Sequence, residues 1–515
     1  MDILKCRFFM IVLVFIATSC KNQSTESEKV EVTPPNIIYI LADDMGFGDL
    51  GANNPDSKIP TPHLDQLAKE GMRFTDAHTS SAVCTPTRYG ILTGRYNWRS
   101  TLKKGVLGGY SKPLIDTTRA TVASMLSAHG YHTAFIGKWH LSWNWGKDTA
   151  GKVDFSLPVT HTPNDNGFDY AYGHVASLDI PPYVYVENGK VTAVPTDSTQ
   201  SKDKYGWWRK GMTGPDFKHE DVTPNFFRRG IQYVKERAHA GKPFFLYLPL
   251  PSPHTPILPS QEYQGKSGLN PYGDFVMMID DYMGQLMAAV KEAGIEENTM
   301  IVFTSDNGCS PAARIEELTA KGHYPNGIYR GHKADIFEGG HRVPFIVKWP
   351  KTIKASSVSD QTICTTDLMA TCADLIGYKL KDNEGEDSYS MLPLFHGETL
   401  EGDFREATVH HSINGSFAIR KGEWKLAMTA GSGGWSFPTP AQVAQQDSLP
   451  KVQLFNLKDD PKEEKNLQAE FPEKVGELRA LLTKYIESGR STPGQPQSND
   501  GEEVWEQLWW MQESE

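Results

Sequence analysis

The sequence predicts an α/β protein: a large domain with a mostly parallel central sheet flanked by helices, and a small C-terminal α+β domain with an antiparallel sheet. Two observations carry this. Short apolar runs at 37–41, 133–136, 244–248, 300–303 and 344–347 have the length and continuity of strands buried on both faces. Between them lie stretches with helical spacing at 61–71, 119–129, 224–240 and 274–293, and strand alternating with helix is the pattern of a parallel sheet covered on both sides. After about residue 396 the pattern changes: 416–428 and 452–456 read as antiparallel strands, and 472–487 as a helix. The expected boundaries are 35–395 for the large domain, 396–490 for the small one and 491–515 for a loosely ordered tail, in which Trp505, Trp509 and Trp510 offer docking points.

The N-terminus reads differently. Lys5 and Arg7 precede an apolar run from Phe8 to Ala17, then Thr18-Ser19-Cys20. A basic start, about ten apolar residues and a small-residue cut site describe a secretory signal over 1–20. The run is shorter than the ~20 residues a membrane span needs. Cys20 stands where a bacterial lipobox has its lipidated cysteine, although Ala17 replaces the usual Leu. Residues 21–34 then form a polar tether. The expectation is a bacterial protein exported to the periplasm or cell surface and lipid-anchored through Cys20.

Composition narrows the function. Of 515 residues, 39% are hydrophobic and 22% charged, as in ordinary globular proteins, which excludes collagen, a coiled coil and a multi-span membrane protein. The 63 acidic residues outnumber 52 basic ones, for a net charge of −11, so nucleic acid is not an expected partner. Six cysteines are too few for a disulfide scaffold. Cys309, Cys364 and Cys372 read as small buried residues or as containing one disulfide.

Polar clusters follow three of the strands, where open α/β sheets bind ligands. Asp43 and Asp44 follow 37–41, Lys138 and His140 follow 133–136, and Asp306 and Asn307 follow 300–303. Three carboxylates and an amide are hard oxygen donors, suited to Ca²⁺ or Mg²⁺. A sharper signal is Cys84-Thr85-Pro86-Thr87-Arg88, followed by Leu92-Thr93-Gly94-Arg95.

This pattern resembles the formylglycine-dependent (type I) sulfatases of the alkaline phosphatase superfamily, most closely bacterial polysaccharide and N-acetylgalactosamine-6-sulfatase-like arylsulfatases. Segments 36–49, 137–140, 253–256, 304–308, 331–333, 339–350 and 454–460 match in the family's order, so the likeness spans roughly 35–488. It implies an alkaline-phosphatase-like large domain and hydrolysis of sulfate esters of a poly- or oligosaccharide. It implies that a maturation enzyme oxidises Cys84 to formylglycine (3-oxoalanine). The hydrated aldehyde is a gem-diol: one hydroxyl attacks sulfur and the other, once deprotonated, expels sulfate, a release that serine cannot perform. The same resemblance assigns Asp43, Asp44, Asp306, Asn307 and the modified Cys84 to one Ca²⁺. Arg88 holds the diol and the carboxylates, His140 assists the diol hydroxyls, Lys138 and Lys333 stabilise sulfate charge, and Lys333 or His254 serves as the acid. Arg342 is left as a brace outside the site.

The leaving-group side is less determined. Trp143, Trp145, Trp207, Trp208 and Trp435 lie in polar loops and suit sugar rings. His161, His174, Trp208 and Arg209 are the candidates for substrate contact. A phosphomonoesterase or phosphonate hydrolase on the same scaffold, and a non-catalytic sulfated-glycan-binding lipoprotein, are the alternatives.

Overall fold

Ile37 to Leu41 alternate between two cores. Ile37, Tyr39 and Leu41 pack on one side of the sheet, Ile38, Ile40 and Ala42 on the other. This period of two is why the run had to be apolar at every position. In the computed structural model, which describes residues 34–400, 402–446 and 448–512, the run becomes the strand Asn36–Ala42 at the centre of a ten-stranded sheet. The signal and the lipidation site at Cys20 lie outside the described residues.

Five adjacent strands are parallel: Thr299–Ser305, Asn36–Ala42, Phe244–Pro249, His132–Lys138 and Tyr170–His174. The run at 344–347 forms Phe345–Lys348, but it pairs antiparallel with Thr299–Ser305. An apolar run encodes burial and carries no sign of direction, so the mixed edge was invisible in the pattern. Helices Pro62–Glu70, Val222–Arg237 and Pro271–Glu292 cover one face through Leu64, Phe226 and Ile279. Cys84–Thr93, Val122–Ala128 and Leu368–Leu375 cover the other through Ile91, Leu126 and Met369.

The C-terminal sheet has four antiparallel strands, Thr408–His411, Phe417–Lys421, Trp424–Ala427 and Gln453–Asn456, with helix Pro472–Glu487 packed on it. Its core takes in Tyr96 and Trp98 from the segment after the Cys84 helix. The tail is docked: Trp505 and Trp510 are buried in that core, and Arg95 pairs with Asp500 at 2.8 Å. Trp143 and Trp145 are buried in the large core, so neither is a surface platform. Cys84, Cys309, Cys364 and Cys372 are all buried free thiols, which removes the expectation of a disulfide among them. No helix of the described residues is long and apolar enough to cross a membrane.

Candidate active site

Parallel register brings the polar clusters together. Ala42 lies opposite Ser305, so Asp43-Asp44 and Asp306-Asn307 leave neighbouring strands at one edge. Backbone bonds lock them: the Asp306 amide donates to Ala42 O at 3.1 Å, the Asp43 amide to Ser252 O at 2.9 Å, and the Asp44 amide to Asp306 Oδ1 at 3.2 Å. Lys138 ends a third strand, and the chain beyond Phe244–Pro249 carries His254. Asp44 and His140 both have left-handed backbone, φ 67° and 53°. Such geometry is costly for residues other than glycine and clusters at functional sites.

Carboxylate oxygens of Asp43, Asp44 and Asp306 lie within 4.8 Å of one another, and Asp43, Cys84 and His254 form an overlapping group of the same size. Three buried cations face them. Arg88 donates through Nε and Nη2 to Asp306 Oδ2 at 3.0 and 2.7 Å and lies 3.3 Å from Asp43. Lys138 pairs with Asp43, and Lys333 Nζ lies 2.6 Å from Asp44 Oδ1. Burial opposes ionisation of Asp43, yet Lys138, His254, Arg88 and Lys333 hold its carboxyl well below the usual range. Burial and the charge of Asp43 push Asp306 up to about 6. Burial disfavours the charge on Lys333, but Asp44 and its neighbours keep it firmly protonated.

Two buried acceptors, Asp43 Oδ1 and Asn307 Oδ1, have no hydrogen-bond partner, while Asn307 Nδ2 donates to Asp44 Oδ1 at 2.7 Å. An unsatisfied buried oxygen is unfavourable, and hard oxygen donors with lone pairs to spare fit a divalent cation. Cys84 opens the helix Cys84–Thr93 and is 2% exposed. Burial raises its thiol pKa against the pull of Lys138 and Lys333.

Both histidines have a defined tautomer. His140 Nε2 faces Leu107 O at 2.9 Å and therefore carries the hydrogen, leaving the buried Nδ1 with a free lone pair. Burial and the nearby cations Lys138 and Arg88 keep it neutral. His254 Nδ1 donates to Thr255 O at 2.6 Å and turns Nε2 toward Asp44 Oδ2, 3.8 Å away. Its pKa is lowered by burial and Lys333.

The four candidate substrate contacts are spread over three parts of the structure. His174 is buried behind Lys138, in register with it and stacked on Phe226. His161 donates to Ile115 O at 2.6 Å and lines a cavity of about 540 Å³ with Tyr89, Arg119 and Lys381. Trp208 stacks on His219 at 4.0 Å, and Arg209 pairs with Asp179, both at the hairpin of Asp197–Lys202 and Trp207–Thr213. Arg342 bonds Thr75 O and pairs with Asp76 and Glu338, as a brace would.

Sequence reasoning missed two features. Asp335, two residues after Lys333, fastens a loop of the C-terminal part. A second buried cluster joins the two sheets: His78 Nδ1 meets His341 Nδ1 at 3.0 Å, and His341 stacks on His410 at 3.9 Å, among Asp76, Glu338, Lys425 and Glu463. The Gly339-Gly340-His341 stretch was the available signal, but its partners are remote in sequence.

Known proteins agree with this architecture. N-acetylgalactosamine-6-O-sulfatase of Bacteroides thetaiotaomicron is 33% identical, covering 91% of this chain and 96% of its own. Arylsulfatase A of Bos taurus is also 33% identical, covering 84% and 83%. A solved structure from work on glycosaminoglycan metabolism by Bacteroides thetaiotaomicron superposes with a TM-score of 0.77 at 33% identity, covering 88% of this chain and 99% of that one. The family model described as Sulfatase matches residues 35–378, and the chain therefore belongs to the sulfatase family and is a sulfuric ester hydrolase.

Proposed function

We propose that the protein hydrolyses sulfate esters of a sulfated carbohydrate, using formylglycine made from Cys84 and one Ca²⁺. The observation that carries this reading is the convergence of Cys84 with three carboxylates, two lysines, an arginine and two histidines in one buried site. The relative named N-acetylgalactosamine-6-O-sulfatase supports a carbohydrate substrate.

Asp43, Asp44, Asp306, Asn307 and the modified Cys84 would hold the calcium, whose charge would offset that of the sulfate oxygens. Oxidised and hydrated, Cys84 supplies two hydroxyls on one carbon, one for attack on sulfur and one for sulfate release. Lys138 and Lys333 add fixed positive charge in a dry site, where it acts with little screening. Arg88 keeps Asp43 and Asp306 in place. The free Nδ1 of His140 accepts a proton from a diol hydroxyl. His254 Nε2 or Lys333 Nζ delivers one to the leaving sugar oxygen.

We further propose that residues 1–20 direct export, that 21–34 tether the enzyme through a lipid on Cys20, and that the catalytic and C-terminal parts divide near residue 395. A Cys20→Ala variant should leave the membrane fraction.

The decisive experiment is ion-chromatographic detection of sulfate released from sulfated mono- and oligosaccharides, with phosphate esters as controls. The enzyme should release sulfate and no phosphate, and Cys84→Ser should fold but not turn over. Turnover by that variant, or phosphate release alone, would overturn the reading.

A further inference from the structure

Of the twelve tryptophans, only Trp207 and Trp435 are exposed among the described residues, and one face of Trp207 carries the Arg209 guanidinium at 5.0 Å. Trp435 is 47% exposed, and Phe437, two residues on, is 69% exposed. Both lie in a loop between the strands Trp424–Ala427 and Gln453–Asn456, remote in sequence from every catalytic residue.

The loop is nevertheless pinned to the residues that follow Lys333. Asp335 Oδ1 accepts from the amides of Trp435 at 2.8 Å and Ser436 at 3.0 Å, and the Ser436 hydroxyl bonds the same carboxylate. The Ile336 amide donates to Ser432 O at 2.8 Å. Gly434 lies flat on Ala334: a Cβ there would be 2.4 Å from Ala334 O, so no larger residue fits without displacing the loop. Ala334 in turn donates to Ala82 O at 2.8 Å, two residues before Cys84. At its base the loop is held by Gln453 Nε2, which donates to Thr429 O and Gly431 O. Polar anchors thus fix, beside Lys333, a loop that presents two large aromatic rings to water.

We propose that Trp435, assisted by Phe437, is a specificity-determining platform that stacks on the apolar face of a pyranose ring of the substrate while the sulfate enters the Lys138–Lys333 pocket. This rests on the sulfatase reading of that pocket. A rigid aromatic ring loses little conformational entropy on binding and buries a large apolar area, which suits it to a ring presenting C–H groups. Fastening the loop to the residues after Lys333 ties the platform to the segment that carries that lysine, so selection would fall on a sugar of the bound substrate.

The test compares Trp435→Ala and Trp435→Phe in the matured enzyme. The substrate is N-acetylgalactosamine 6-sulfate or whichever sulfated saccharide of a panel is cleaved fastest. KM should rise about tenfold in Trp435→Ala with kcat within about twofold, and Trp435→Phe should restore most of the loss. Product inhibition by free sulfate, which reads the pocket alone, should shift less than about twofold. A second measurement does not depend on turnover: calorimetric binding of the same saccharides to Cys84→Ser should weaken about tenfold when Trp435→Ala is added. A fall confined to kcat, a parallel loss of sulfate inhibition, or unchanged saccharide affinity would overturn the platform. Saccharide binding that depends on Trp435 without any sulfate release would uphold the platform and reject the sulfatase reading.

Discussion

Asp43 and Asn307 each keep one buried oxygen without a hydrogen-bond donor. Their other polar atoms are engaged, by Lys138 and Arg88 for Asp43 and by Asp44 for Asn307, which fixes the direction of the free lone pairs. The consequence is measurable without substrate. Calcium at about 100 times its dissociation constant should stabilise the protein by about 2.7 kcal/mol. Asn307→Ala should abolish most of that gain and the calcium dependence of activity together. Thermal scans with and without Ca²⁺ and after chelation check this, and an equal calcium response in the variant would remove Asn307 from the metal site. The meeting of Asp43, Asp44 and Asp306 was legible in the sequence because acidic residues directly followed apolar strands, while their assignment to calcium came from the family resemblance. The roles proposed for Cys84, Lys333 and His254 came only through family resemblance, since no local pattern brings 84, 254 and 333 together. The anchoring of Trp435 by Asp335 could not be read at all, because a carboxylate bonding two amides a hundred residues away leaves no spacing to recognise.

At the level of elements, local physics was informative where one face is buried and silent where direction or docking decides. The helix 472–487 was expected at the bounds it takes, from a proline start and apolar residues three and four apart. Thr408–His411 was missed because its inward residues include histidines, which do not read as a core strand. The tail after Ser491 was read as loosely ordered on composition, yet Trp510 packs edge-on against Phe417 at 5.6 Å and donates through Nε1 to Thr483 Oγ1 at 3.2 Å. Trp510→Ala therefore removes a core side chain. It should cost about 3–5 kcal/mol, the usual range for truncating a buried tryptophan. Urea unfolding checks this, and a loss below about 1 kcal/mol would mean that the tail merely rests on the surface.

For the molecule as a whole, the join between the two sheets is built from ionisable groups. Burial, reinforced for His341 and His410 by Lys425 and neighbouring histidines, holds His78, His341 and His410 below the ordinary histidine pKa. Unfolded, each would protonate near pH 6.5. Below that pH the unfolded chain binds protons that the fold does not, so stability falls as pH falls, by up to about 1.4 kcal/mol per pH unit for each histidine. Glu463 acts in the opposite sense. Burial and Glu338 raise it from 4.5 to about 7, so between those values the fold holds a proton that the unfolded chain releases. Three histidines against one glutamate leave a net loss on acidification. Denaturant unfolding at a series of pH values should show stability decreasing below pH ~6.5. His410→Gln should flatten that slope by up to about 1.4 kcal/mol per pH unit, and an unchanged slope would exclude His410 as a contributor.

The fastening of Arg95 and Arg99 also has a meaning in time. Both lie just beyond the helix that begins at Cys84; Arg95 is held by Ser498 and Asp500 and Arg99 by Asn499, residues about 400 positions later. At a growth rate of about 5–20 residues per second, some 20–80 s separate synthesis of the two partners. Throughout that interval the far end of the Cys84 helix lacks its last clamps. The oxidation proposed for Cys84, whose sulfur the finished fold buries, would therefore have a natural window while the chain is still being made.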